Sequence, residues 1–182
     1  MNGSAPTPGD LAYPPFLGED GMTVDPAAAA AAIIPVPYDQ TSTWRKGADR
    51  GPSALLDASG TIELYDIETD SEPWKRGIVT LSPILHDGGP EELAQRVRAA
   101  TAGVLANGSV PVVIGGEHSV TIGAVEAAAD AFPGVGVLQI DAHGDTRESY
   151  EGSSHNHACV MARARERCPI VQVGIRAVDA SE

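Results

Sequence analysis

The chain has 182 residues, 42% hydrophobic and 20% charged, the composition of a globular domain large enough for one core. Twelve basic against 25 acidic residues give a formal charge of −13, which argues against nucleic acid and anionic membrane as partners, because neither is drawn to a strongly acidic surface. Cys159 and Cys168 are too few for a disulfide framework, and there is neither a basic signal-like start nor an apolar run of the ~20 residues a membrane span needs, so the expectation is a cytoplasmic protein with reduced thiols.

Residues 1–25 carry Pro, Gly and Asp without periodicity and are expected to form a mobile arm. Ala31 to Val36 reads as a first strand and Tyr38 to Gly51 as a polar loop. Pro52 suits the first turn of a helix that runs through Ala54-Leu55-Leu56 toward Tyr65, with Gly60 as a possible interruption. Gly77 to Leu81 is a short strand. Glu91 to Leu105 places Leu93, Val97, Ala100, Val104 and Leu105 near helical spacing and stops at Asn107-Gly108. A repeated theme follows: strand Val110 to Ile114, helix Ser119 to Ala131, strand Val135 to Ile140, loop 144–156, helix His157 to Arg167, and strand Ile170 to Ile175. Apolar β-branched runs alternating with helices predict an α/β fold, a parallel sheet covered on both faces. Right-handed crossovers then bring the carboxyl ends of the strands to one rim, where functional groups collect.

Two motifs fall on that rim. Asp141-Ala142-His143-Gly144-Asp145 follows the buried strand ending at Ile140. If the extended geometry persists, Asp141, His143 and Asp145 leave one face together. Two carboxylates and an imidazole suit Mn²⁺, Zn²⁺ or Fe²⁺, and leaving them unpaired at a strand end would cost several kcal/mol. A lone Asp-x-His also fits an N-cap aspartate beside a surface histidine; the third member of the run tips the reading to metal. Gly115-Gly116-Glu117-His118-Ser119 follows the preceding strand directly. Its glycines allow a tight turn, His118 falls within reach of Asp141, and Ser119 is placed to cap the next helix. Loop 144–156 adds Tyr150, Glu151 and His155, with His157 just after it, groups that could hold substrate or move protons; His155 fits equally well as a histidine facing water. Arg163, Arg165 and Arg167 read as the solvated face and carboxyl end of the last helix.

These motifs resemble those of the ureohydrolase family, which includes arginase, agmatinase, guanidinobutyrase and formimidoylglutamase. Residues 115–119 look like its first signature and 141–145 like its second. Ile34 to Asp39, Trp44 to Gly47 and Arg50-Gly51-Pro52 are similar to its amino-terminal region, as are Ala58-Ser59 and Glu63. Arg147 to Val160, ending in Asn156-His157-Ala158-Cys159-Val160, is closest to the agmatinase-like branch. The resemblance spans about residues 15 to 180.

The resemblance implies a three-layer α-β-α, arginase-like fold and a binuclear Mn²⁺ site that hydrolyses a small cationic guanidino substrate to release urea, agmatine to putrescine plus urea being the expected reaction. It assigns His118, Asp141 and Asp145 to one manganese and Asp141 with His143 to the other, Asp141 bridging. His157 takes the place of a histidine beside the site that shuttles protons or orients substrate. The full-length family implies a homo-oligomer. The family's third signature, a Ser-x-Asp-x-Asp segment on a later strand, does not occur here, nor does the glutamate that follows it. The expectation is therefore the amino-terminal part of a single ureohydrolase domain (residues 26–182), truncated after about four or five strands, with apolar surface uncovered after Ile170 to Ile175. Arginine, guanidinobutyrate or formimidoylglutamate as substrate, or a non-catalytic remnant or split subunit, are the alternatives.

Overall fold

Strand β1, Ala31–Val36, is the central strand of the first sheet. Ile33, Ile34 and Val36 are all buried, so side chains on both of its faces leave water. It pairs in parallel with β2 (Ile78–Thr80) on one side and β3 (Val110–Gly115) on the other. Two prolines are compatible with this order because of where their missing N–H groups fall. The Pro35 carbonyl accepts from Ile84 N–H at 2.9 Å, on the side where β2 has already ended, so no ladder bond is lost there. Val110 N–H donates to Ala30 on the β1 side, which turns Pro111 toward the edge of β3 that is unpaired among the described residues. This computed structural model describes residues 7–18 and 25–182.

The helices follow the apolar periodicity. α1, Gly51–Ser59, has Pro52 in its first turn and buries Leu56. It ends at Gly60 instead of running on to Tyr65. α2, Pro90–Ala106, carries Glu91 and Glu92 in its first turn, where carboxylates favour the helix dipole, and buries Leu93, Ala94, Val97, Thr101 and Val104 along one stripe. That stripe meets Ala32, Ile34, Val36 and Tyr38 of the first sheet in the main core. α3, Thr121–Ala131, crosses α2 closely at Gly123, where a Cβ would stand 2.1 Å from the Ala94 carbonyl oxygen. A second core joins α2, α3 and α4 (Val160–Arg165) through Ala94, Ile122, Val160, Met161 and Ala164.

The expected continuous sheet is divided in two. β4 (Val137–Ile140) and β5 (Ile170–Val173) pair in parallel with each other, and among the described residues neither bonds to β3. The expected cover is also incomplete. α2 packs on β1 and β3, α3 on β3, α4 on β5, and α1 on β1 and β3. The alternate positions Val110, Val112, Leu138, Ile140, Val171 and Val173 are exposed, Ile140 to 80%. The uncovered apolar surface thus lies across β3, β4 and β5, wider than the last strand alone. β5 itself ends at Val173, with Gly174 in the left-handed region at φ 88°.

Residues 7–18, assigned in sequence to an arm, lie against the body. Phe16 N–H donates to Thr80 Oγ1 at 2.9 Å, Leu17 N–H to Ser59 Oγ at 3.0 Å, and Leu17 is buried. The rest of the expected arm, 1–6 and 19–24, lies outside the described residues. Among the described residues no helix is long and apolar enough to cross a membrane.

Candidate metal centre

The Gly115-Gly116 turn brings the end of β3 into backbone contact with the end of β1. A Cβ on Gly116 would stand 2.0 Å from the Tyr38 carbonyl oxygen, so only glycine fits. Glu117 then turns inward. Its buried carboxylate accepts from Ser119 N–H at 2.7 Å, Ser119 Oγ at 2.8 Å and Thr41 N–H at 3.3 Å. Glu117, not Ser119, is therefore the cap, and it caps a 3₁₀ turn, His118–Val120, that precedes α3. The first residue of that turn is the histidine that faces the site.

Across the site, β4 delivers Asp141. Burial pushes its carboxyl pKa up, but the His143 N–H and the His118 imidazole outweigh that and hold it below the usual aspartate value. The expected alternation of 141, 143 and 145 fails, because Asp145 adopts a left-handed backbone at φ 51°. Its carbonyl accepts from Met161 N–H at 2.8 Å at the start of α4, and its carboxylate turns back to His118. His118 Nδ1 lies 2.8 Å from Asp145 Oδ2 and 3.9 Å from Asp141 Oδ2. One donor atom from each of His118, Asp141 and Asp145 lies within 4.8 Å of the others. His143 stays at the edge of this group, its side chain 65% exposed and its Nδ1 3.4 Å from Asp141 Oδ1.

All four line a cavity of about 680 Å³, together with His157 and Tyr150. The predicted helix from His157 to Arg167 begins as a 3₁₀ turn, His157–Cys159, capped by Asn156, and becomes α-helical only over Val160–Arg165. His157 meets Tyr150 edge-on at 5.9 Å between ring centroids, and Arg147 stands over the other ring at 4.9 Å. His155 turns away from the metal group and lies 4.0 Å from Glu91 at the start of α2. The arginines divide: Arg163 and Arg165 pair with Glu148, and Arg167 with Asp130.

Three site-supporting residues escaped the sequence reading. Gln139 and Gln172 face each other in register on β4 and β5. Gln172 Nε2 donates to Gln139 Oε1 at 2.6 Å and to the Gly144 carbonyl at 2.7 Å, while Gln139 Nε2 donates to Asp141 Oδ2 at 3.3 Å. A glutamine inside each of two apolar runs was the available signal. The third is Thr41, whose hydroxyl bonds His157.

The sequence model of the Arginase family matches residues 29–182. The chain belongs to the arginase family. It is 40% identical to an N(1)-aminopropylagmatine ureohydrolase of Synechocystis sp., over 90% of this chain and 56% of that protein. It is 37% identical to the enzyme of the same name from Thermus thermophilus, over 83% of this chain and 52% of that protein. Among solved structures, the agmatine ureohydrolase of Thermoplasma volcanium superposes with a TM-score of 0.81 at 31% identity, over 90% of this chain and 55% of that one. The fold is thus the arginase fold, and the chain spans about half the length of the relatives it matches.

The donor set fits a divalent metal. A hard-to-borderline ion such as Mn²⁺ favours carboxylate and imidazole donors, and His118, Asp141 and Asp145 bring three such side chains within the span of one ion. The two Asp141 oxygens also face different neighbours, Oδ2 toward His118 and Oδ1 toward His143.

Proposed function

We propose that this chain carries part of a binuclear manganese centre of a ureohydrolase that cleaves linear guanidino amines to an amine and urea. The observation that carries the reading is the convergence of His118 and Asp145 on Asp141, with His143 at its second oxygen and His157 across the same cavity. His118, Asp141 and Asp145 would hold one ion, Asp141 and His143 the other, with Asp141 shared. Bound manganese supplies hydroxide near neutral pH by lowering the pKa of water. The chain's own residues orient and bind. Gln139 and the His143 N–H hold the Asp141 carboxylate. His157 lines the same cavity, where it would orient the substrate or relay a proton from the attacking water to the leaving nitrogen. Water adds to the guanidinium carbon, the bond to the substituted nitrogen breaks, and the products are a protonated amine and urea.

Agmatine and its N1-aminopropyl derivative head the substrate panel, because these are the compounds named for the related enzymes. A second reading, a metal-binding but non-catalytic portion of a ureohydrolase, rests on the half-length match. Purified chain loaded with Mn²⁺ and desalted is assayed for metal content and for urea release from agmatine, N1-aminopropylagmatine, arginine, guanidinobutyrate and formimidoylglutamate. Retained manganese with urea from the two agmatines supports the first reading. Retained manganese without urea selects the second, and absence of retained manganese overturns both.

A further inference from the structure

Thr41 lies on the loop between β1 and α1, 116 residues from His157 in sequence, yet bonds it twice. The His157 backbone N–H donates to Thr41 Oγ1 at 3.0 Å, and Thr41 Oγ1 lies 3.2 Å from His157 Nδ1. Thr41 is buried, and its own N–H donates to Glu117, the residue before His118. A hydroxyl has one proton to give and two lone pairs. One lone pair of Oγ1 is taken by the His157 N–H, and among the described residues the only acceptor facing its proton is Nδ1.

We propose that Thr41 is a positioning residue that holds neutral His157 as the Nε2–H tautomer, so that the ring presents a hydrogen-bond donor to the cavity. With Nδ1 occupied by the hydroxyl, Nε2 is the ring nitrogen left for the site, and it carries the proton. This deepens the ureohydrolase reading and, for its role in turnover, rests on it. A guanidinium has only donors and gives an Nε2–H nothing to bond. The substituted nitrogen acquires a lone pair as the carbon becomes tetrahedral, and only then matches the donor. The contact therefore strengthens from ground state to transition state, the condition for it to raise turnover. Threonine is suited to the task because the same hydroxyl accepts from the ring when His157 becomes doubly protonated. It can follow the proton state by rotating its O–H, without moving the ring.

The test is two-bond ¹H–¹⁵N correlation spectroscopy of the imidazole rings in ¹⁵N-labelled chain at a pH where His157 is neutral, with His157 assigned by the loss of its signals in His157→Gln. Wild type and Thr41→Ser are expected to show Nε2–H at His157. Thr41→Val, of similar volume but without a hydroxyl, is expected to raise the Nδ1–H form there while His86 and His155 are unchanged. An Nδ1–H His157 in wild type overturns the proposal, as does a Thr41→Val spectrum identical to wild type. If Thr41→Val does not fold, Thr41→Ala, which also removes the hydroxyl, takes its place with the same expectation and the same overturning result. Where the chain releases urea, Thr41→Val lowers kcat with KM preserved and Thr41→Ser restores it. If no urea is released but the tautomer follows Thr41, the ureohydrolase reading fails for this chain and the positioning role stands.

Discussion

Gly116→Ala is expected to be the most damaging single-methyl change near the metal group. Its Cβ would meet the Tyr38 carbonyl oxygen at 2.0 Å, the Tyr38 carbonyl carbon at 2.8 Å and the Tyr38 nitrogen at 2.9 Å. All three are backbone atoms, so no side chain can swing aside, and reaching even 3.0 Å requires the chains to part by about 1 Å. That separation breaks two bonds that lock β3 to β1, Gly116 N–H to Val36 at 3.0 Å and Glu117 N–H to Tyr38 at 2.9 Å. Overpacking costs about 1–3 kcal/mol and each lost bond about 1 kcal/mol, so the expected destabilisation is about 3–5 kcal/mol. With a urea m-value of ~2 kcal/mol/M, the unfolding midpoint followed by far-UV circular dichroism falls by about 1.5–2.5 M. Gly103→Ala is the matched control. It lies inside α2 with nothing within 4 Å of the added methyl, and is expected to raise stability by about 0.5–1 kcal/mol. A Gly116→Ala midpoint indistinguishable from wild type would refute the claim that this glycine is required by close backbone approach.

Metal content after desalting separates the roles of the candidate ligands: His118→Ala and Asp141→Ala should both abolish Mn²⁺ retention, Asp141→Ala even when the loading concentration is raised tenfold, whereas His157→Ala should leave it nearly intact. Manganese kept by Asp141→Ala would sink the shared-ligand assignment. Gln139→Leu removes the donor to Asp141 and unpairs Gln172, and is expected to weaken Mn²⁺ affinity about 10–100-fold in a competition titration with a fluorescent chelator. Unchanged affinity would show that the glutamine pair serves the sheet alone. The Ser153 hydroxyl, 2.6 Å from Glu91, is the main reason the Glu91 carboxyl sits below the ordinary glutamate value. Ser153→Ala should raise that pKa toward the usual value in a ¹³C-carboxyl NMR titration. Because the native pKa is depressed, the small stability this bond adds is present above the unfolded pKa and lost as pH falls through the native one. The variant should therefore show less acid-dependent loss than wild type.

The strands and helices were legible because their signals are local. β-branched runs marked β1, β3, β4 and β5, and the apolar stripe through Leu93, Val97 and Val104 marked α2. Boundaries drifted where a short-range competitor acted. Gly60 ended α1, and the Glu117 and Asn156 caps inserted 3₁₀ turns before α3 and α4. The candidate ligands were legible for a related reason, since His118, Asp141, His143 and Asp145 sit within a few residues of a strand end.

By itself the sequence determined which chemistry is available: which side chains leave the carboxyl ends of β3 and β4, and that their donor atoms suit a divalent metal. Tertiary structure decided which of them meet. The left-handed Asp145 turned its carboxylate back to His118 and left His143 at the edge, against the alternation an extended chain would impose. It decided that Thr41 addresses His157 across 116 residues, and that Gln139 is a polar brace inside an apolar strand. It also decided that, among the described residues, β3 and β4 stand unpaired to each other at the edges of two sheets with an exposed apolar face. The division is physical: alternation, capping and strand propensity act between near neighbours, whereas the meeting of two distant side chains depends on how the elements that carry them pack.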